Sequence, residues 1–80
     1  SVAEGVALIE LICRNLGIAD FGNSRVLDMG CGSKLVQAIL DRGLPLHHYT
    51  GVDIFPDLIE FLQDNVADPR FNFELLNSQN

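Results

Sequence analysis

Two aspartates and two glycines are the residues of this chain whose types and spacing could bind a small molecule. Gly30 and Gly32 form a tight turn, with Asp28 just before it and Asp53 about 20 residues beyond it. Glycine leaves no Cβ between a ligand and the backbone, and a carboxylate can accept hydrogen bonds from two vicinal hydroxyls. We therefore expect Asp28, the two glycines and Asp53 to converge on one nucleoside-binding cleft at the carboxyl ends of adjacent strands.

Each of these residues also has a purely structural explanation. Two glycines at this spacing are equally typical of a simple turn from a strand to a helix. Asp28 could be satisfied by backbone N–H groups at a strand end, and Asp53 could form a turn or cap before the next helix. Asp57 is predicted to be the better cap, because the helix follows it directly.

Three helices alternating with three strands are predicted to position the turn. Hydrophobic periodicity predicts helices at 2–16, 34–42 and 57–66, strands at 25–29, 48–53 and 71–75, and a connector at 18–24. Helical segments between strands imply right-handed crossovers and a parallel sheet. The sequence thus predicts one α/β domain over residues 1–80, a partial Rossmann-like three-layer fold with a parallel sheet of about three strands and crossover helices. Its core should include Phe61, Phe71 and Phe73.

Two segments resemble the cofactor-binding motifs of class I (Rossmann-like) S-adenosylmethionine-dependent methyltransferases. Segment 26–32, Val-Leu-Asp-Met-Gly-Cys-Gly, is similar to their first motif, an acid followed by G-x-G at the end of the first strand. Segment 49–59 resembles their second motif, with its acid and following helix, and segment 71–78 is similar to their third strand. The resemblance implies the N-terminal cofactor-binding half of such an enzyme, truncated before the fourth strand and inactive by itself.

The resemblance also implies S-adenosyl-L-methionine as the cofactor, with a role for particular residues. Asp28 would position the methionine ammonium, Asp53 would bind the ribose, and Ile54 would pack on the adenine unless it belongs to the core. Asn77 would accept from the exocyclic amine unless it simply forms a turn. No catalytic base is implied, because the acceptor-side groups of the family follow the fourth strand. The implied cofactor-binding residues are Asp28, Gly30, Cys31, Gly32, Asp53, Ile54, Asn77 and Ser78.

Two alternatives remain open. A nicotinamide or flavin dinucleotide site would have a third glycine at position 35, where this chain has Leu35. Asp28 would also repel a pyrophosphate, whereas S-adenosylmethionine carries a sulfonium and an ammonium and no phosphate. The other alternative is a non-catalytic nucleotide-binding or interaction module, such as a degenerate methyltransferase domain. The methyl acceptor is left open.

Composition and charge limit the classes of binding partner that this chain is expected to have. A net charge of −6 with five Lys and Arg residues argues against a broad nucleic-acid-binding surface. No apolar run approaches the roughly 20 residues that span a bilayer, and no secretory signal is visible. Two cysteines cannot form a disulfide scaffold or a zinc site, so we expect a cytoplasmic protein with reduced thiols and no metal.

The predicted sheet also has implications for association. The helices between consecutive strands should lie on one face and leave the other face bare, and the first strand should present an unpaired apolar edge. Exposed edges and apolar patches seek partners. We therefore expect self-association or pairing with the missing C-terminal half.

Overall fold

The computed structural model describes residues 1–77 and has helices and strands in strict alternation. The strands form one parallel sheet in the order β1-β2-β3. The predicted α/β fold with one open parallel sheet is confirmed, and it is consistent with a partial Rossmann-like fold. Within the described residues, no helix combines the length and the hydropathy needed to cross a membrane. The elements are α1 (Val2–Leu16), β1 (Phe21–Met29), α2 (Lys34–Arg42), β2 (Leu46–Asp53), α3 (Pro56–Asn65) and β3 (Phe71–Leu75).

The two faces of the sheet differ in what covers them. Helices α2 and α3 each connect neighbouring parallel strands, and right-handed crossovers place both helices on the same face. That face carries Tyr49 and Phe73, which are buried in one hydrophobic cluster with Ile39 of α2. On the opposite face Leu27 and Met29 of β1 are 65% and 60% exposed. The described part of the chain therefore has one helical layer and one bare sheet face.

Helix α1 packs across α2 because Gly5 permits a close approach. The helix begins at a capping box in which the Ser1 hydroxyl accepts from the backbone N–H of Glu4. A Cβ on Gly5 would lie 2.7 Å from the carbonyl oxygen of Lys34 and 2.8 Å from the Cβ of Ala38. The absence of a side chain at Gly5 thus sets the distance between the two helices, which supports α2 behind the glycine turn.

The first two strands begin earlier than predicted. Residues 21–24 were expected to belong to a connector, yet β1 begins at Phe21, which is buried and pairs with Leu46 of β2. The ladder has an irregularity between Phe21 and Arg25, in a segment whose turn-forming residues suggested a loop. Strand β2 likewise begins at Leu46 rather than at residue 48. Tertiary pairing extends both strands beyond what local composition favours.

The predicted start of α3 and the predicted burial of Phe61 are also wrong. The helix begins at Pro56 with Phe55 as its N-cap residue, so Asp57 lies in the first turn and is not the cap. Proline favours this first helical position because its fixed φ suits the helix and its missing N–H is not needed there. Phe61, expected in the core, is 59% exposed, because the buried residues of α3 are Ile59 and Leu62.

Candidate functional site

The turn between β1 and α2 adopts a backbone conformation that requires glycine. Gly30 and Gly32 have φ values of 69° and 52°, a region that costs other L-residues about 1–2 kcal/mol. Apart from the two chain neighbours of each glycine, no described residue lies within 4 Å of the Cβ position at Gly30 or Gly32. The N–H groups of Gly30 and Cys31 both donate to the carbonyl oxygen of Val52, at 2.7 and 3.1 Å. The turn is thus anchored to β2 while the space beside both glycines stays open.

Asp53 connects the end of β2 to this turn. Its Oδ2 accepts from the N–H of Gly32 at 3.1 Å, and its Oδ1 accepts from the N–H groups of Ile54 and Phe55 at 2.7 and 3.3 Å. These hydrogen bonds, that from Gly32 foremost, hold the pKa of Asp53 below its ordinary value. The acid lies against the glycine turn, as the sequence predicts, and it also makes the turn contacts that its structural explanation requires.

A cleft of about 340 Å³ opens at the carboxyl ends of the strands beside Asp53. This volume lies within the range of small-molecule sites. Asp53 contributes the one charged side chain of the lining and is only 7% exposed. Ile54 is 54% exposed, so it belongs to the rim of the cleft and not to the core. The lining residues are Met29, Gly30, Val52, Asp53, Ile54, Phe55 and Leu76.

Asp28 lines a second recess, next to the first. This recess has a volume of about 300 Å³ and includes Leu35 of α2 and Ile12 of α1. Asp28 is half-buried there, and its Oδ2 accepts a hydrogen bond of 2.7 Å from the hydroxyl of Tyr49. The two acids therefore line separate recesses with no lining residue in common, and the expected single cleft is divided.

Cys31 packs between the turn and the sheet. It is 6% exposed, and its Sγ lies 2.9 Å from the position that a Cβ on Gly51 would occupy. Burial, and after it the charges of Asp28 and Asp53, raise the pKa of the Cys31 thiol. A protonated, buried thiol is a poor nucleophile, which agrees with a packing role for this residue.

The first turn of α2 has no side chain that caps it. The Ser33 hydroxyl accepts from Nε2 of Gln37 at 2.9 Å and makes no capping hydrogen bond. No acidic residue lies in that turn, and the Lys34 side chain at its start is exposed. The partial positive charge of the helix N-terminus can therefore stabilise a carboxylate placed next to the glycine turn.

The remaining predicted residues follow β3. The N–H of Leu76 donates to the carbonyl oxygen of Asp53 at 2.8 Å, so Asn77, which is exposed, directly follows a lining residue of the cleft. Ser78 lies outside the described residues. Among residues 1–77, no three His, Cys, Asp or Glu side chains are grouped closely enough to hold a metal ion.

Sequence reasoning missed Tyr49, the partner of Asp28. Its signal is the alternation Tyr49, Gly51, Asp53, which places three residues on one face of β2. Register assigns Gly51 opposite Asp28 of β1. One face of β2 therefore carries Asp53 and also the tyrosine that contacts Asp28.

Comparisons of the chain with protein-family models, with curated proteins and with solved structures find no match. The fold and the geometry of the site define only the class of this protein. It is an open α/β domain of the Rossmann-like kind, with a glycine turn and an acid at the carboxyl edge of its sheet.

Proposed function

We propose that this chain binds S-adenosyl-L-methionine and is the cofactor-binding portion of a methyltransferase. The observation that carries the proposal is the position of Asp53, whose carboxylate touches the Gly32 backbone and lines the cleft at the carboxyl ends of the strands. Ligands of open α/β sheets bind at this edge. The motifs around Asp28 and Asp53 that resemble class I methyltransferases lie on the two strands that meet there.

The charges around the turn favour a cation without phosphate groups. Asp53 is the one charged residue in the lining of the cleft, while Asp28 lines the next recess together with Arg25. The field within the cleft itself is therefore negative. A sulfonium and an ammonium are attracted by this field, whereas a pyrophosphate is repelled. The exposed apolar side chains of Ile54 and Phe55 at the rim suit the flat face of an adenine.

The hydrogen-bonding capacity of Asp53 suits one ribose hydroxyl. A carboxylate has about four acceptor positions, and three backbone N–H groups already donate to Asp53. About one position is left for a ligand. The uncapped first turn of α2 would hold the methionine carboxylate.

Bound S-adenosylmethionine would supply a methyl group on a sulfonium, which is a good electrophile. The residues of this chain would hold and orient that donor, and none of them is assigned as a base. Methyl transfer depends on an acceptor held in line with the sulfonium carbon, and nothing in the described residues identifies the acceptor.

A non-catalytic role has one observation in its favour. Both acids already have protein partners, since Tyr49 donates to Asp28 and three backbone N–H groups donate to Asp53. An interaction module that keeps the fold without binding a ligand would need these contacts alone. The two functions differ in whether the cleft binds a nucleoside.

Isothermal titration calorimetry with S-adenosylhomocysteine and with NAD separates these possibilities. We expect binding of S-adenosylhomocysteine and none of NAD. Asp53→Asn should weaken that binding about 10-fold, because a neutral amide accepts hydrogen bonds less strongly than a carboxylate. Asp68→Asn is the matched control, because Asp68 pairs with Arg70 at 2.7 Å and is not among the residues lining the cleft. Absence of S-adenosylhomocysteine binding by the unaltered chain would refute the proposal.

A further inference from the structure

We infer that Tyr49 is a positioning residue for the cofactor site, whose hydroxyl fixes the Asp28 carboxylate in the orientation that receives the ligand's ammonium group. The inference rests on the proposed function and extends it to a residue that would not touch the ligand. It follows from the hydrogen bond between Tyr49 and Asp28, from the sheet register that permits it, and from the packing that holds the tyrosine ring.

The hydrogen bond joins a buried donor to a half-buried acceptor. The Tyr49 side chain is fully buried, and its hydroxyl lies 2.7 Å from Oδ2 of Asp28. Burial, together with the neighbouring carboxylate, raises the pKa of Tyr49. The phenol therefore keeps its proton and acts as the donor in this pair.

The register of the sheet explains how Tyr49 reaches Asp28. Tyr49 is paired with Val26, two residues before Asp28, and the residue opposite Asp28 is Gly51. A Cβ on Gly51 would lie 2.9 Å from Cε1 of Tyr49. The missing side chain at Gly51 thus leaves the space through which the tyrosine ring extends toward the end of β1.

The ring of Tyr49 is held from the side of β3. Its centroid lies 5.3 Å from that of Phe71 and 6.1 Å from that of Phe73, distances typical of aromatic packing. A donor with so little freedom of movement can define the position of its acceptor.

The bond to one oxygen determines the plane of the carboxylate. The last side-chain torsion of aspartate is broad when nothing restrains it. Among residues 1–77, the hydrogen bond that reaches the Asp28 carboxylate goes to Oδ2. Oδ1 would then be the oxygen that accepts from the ammonium group of a bound ligand, without a search through other orientations.

The test compares two ligands that differ in the amino-acid portion alone. S-adenosylhomocysteine has the ammonium group, whereas 5′-methylthioadenosine has the same adenosyl thioether without it. With Tyr49→Phe, we expect calorimetry to show a loss of about 3- to 10-fold in affinity for S-adenosylhomocysteine, the range that corresponds to one ordinary hydrogen bond. The affinity for 5′-methylthioadenosine should stay within about twofold, because Asp28 does not meet that ligand.

Two further variants separate positioning from simple packing. Ile9→Ala removes buried apolar surface from α1, at a residue that lines neither the cleft nor the recess of Asp28, so it should lower the unfolding temperature and leave the ratio of the two affinities unchanged. Asp28→Asn keeps an acceptor for Tyr49 but removes the charge. It should therefore weaken the binding of S-adenosylhomocysteine more than the binding of 5′-methylthioadenosine. Adding Tyr49→Phe to Asp28→Asn should then have little further effect, because the two residues act through one contact.

The outcomes distinguish the inference from the proposed function. If the unaltered chain binds neither ligand, both are wrong. A second outcome is that the unaltered chain binds S-adenosylhomocysteine while Tyr49→Phe lowers the affinities for the two ligands equally or not at all. In that case the positioning role is wrong and the proposed function stands. An unchanged S-adenosylhomocysteine affinity in Asp28→Asn overturns the positioning role even where Tyr49→Phe does not fold.

Discussion

At the scale of single residues, both acids beside the glycine turn are held by the protein itself. Asp53 receives three backbone hydrogen bonds, and Asp28 receives one from Tyr49. A carboxylate that is already oriented loses little further freedom when a ligand binds, which favours affinity. The structural and the binding explanations of these residues are therefore compatible, because the contacts that stabilise the turn also prepare the site.

The hydrogen bonds to Asp53 predict a stability that depends on pH. The pKa of Asp53 is lowered in the folded chain from an ordinary value of 3.8. The unfolded state thus binds the proton more readily, so this contribution is complete above about pH 5 and is lost as the pH drops through the folded-state pKa. Urea denaturation at successive pH values should show a shallower loss of stability below about pH 4 in Asp53→Asn than in the unaltered chain. Identical slopes for the two chains would contradict the prediction.

The positive φ of Gly32 predicts a cost of substitution that can be separated from its effect on binding. Gly32→Ala should lower the free energy of unfolding by about 1–2 kcal/mol, since alanine is strained in this region. Gly43→Ala is the matched control, because Gly43 has φ 60° at the end of α2 and equally open surroundings. Both variants should lose a similar free energy of unfolding, measured by denaturation. Only Gly32→Ala should also weaken the binding of S-adenosylhomocysteine. Equal effects on binding would show that the turn has no special part in it.

The sequence indicates some of these residues and not others. Gly30, Gly32 and Asp53 can be predicted because a turn conformation and a strand end depend on local sequence and spacing. The role of Tyr49 cannot be predicted in this way, because it depends on which residue of β1 lies opposite Gly51. Strand register is a tertiary property that a single sequence does not display.

At the scale of elements, α2 has the predicted bounds while the starts of β1 and α3 differ. Helix α2 lies between the glycine turn and Gly43, whose left-handed conformation ends the helix. Strand β1 instead begins at Phe21 because Phe21 pairs with Leu46. The sequence does not predict this start, since the neighbours of Phe21 are turn-forming residues. Helix boundaries marked by strong local stop signals can thus be predicted well. Strand boundaries that depend on pairing with a distant segment cannot be predicted from the sequence.

The crossing of α1 over α2 predicts that Gly5 cannot carry a larger side chain. Gly5→Val would place atoms within 3 Å of the α2 backbone, so the helices must separate and the unfolding temperature should drop markedly. Ala7→Val is the control, because Ala7 is exposed on the same helix and carries only the propensity cost of a β-branched residue. Thermal unfolding followed by circular dichroism measures both. A larger effect of Ala7→Val than of Gly5→Val would contradict the packing argument.

At the scale of the whole molecule, the bare face of the sheet is the main unbalanced feature. Helices cover one face, while Leu27 and Met29 expose most of their surface on the other. Among the described strands, β1 has one neighbour, β2, so its other edge has no strand partner. Open parallel sheets are normally covered on both faces, so this surface favours contact with another chain.

We predict that two copies of the chain associate through this face, with the β1 edges adjacent. Each copy carries a net charge of −6, so repulsion opposes the contact, and added salt should strengthen it by screening. Leu27→Lys should reduce association, because it places a charge in the apolar contact. Leu11→Lys makes the same change in charge on α1, at a side chain 47% exposed, and should leave the contact intact. Sedimentation velocity over a range of concentrations and salt measures the effect, and a chain that stays monomeric throughout would show that the bare face does not bind a second copy.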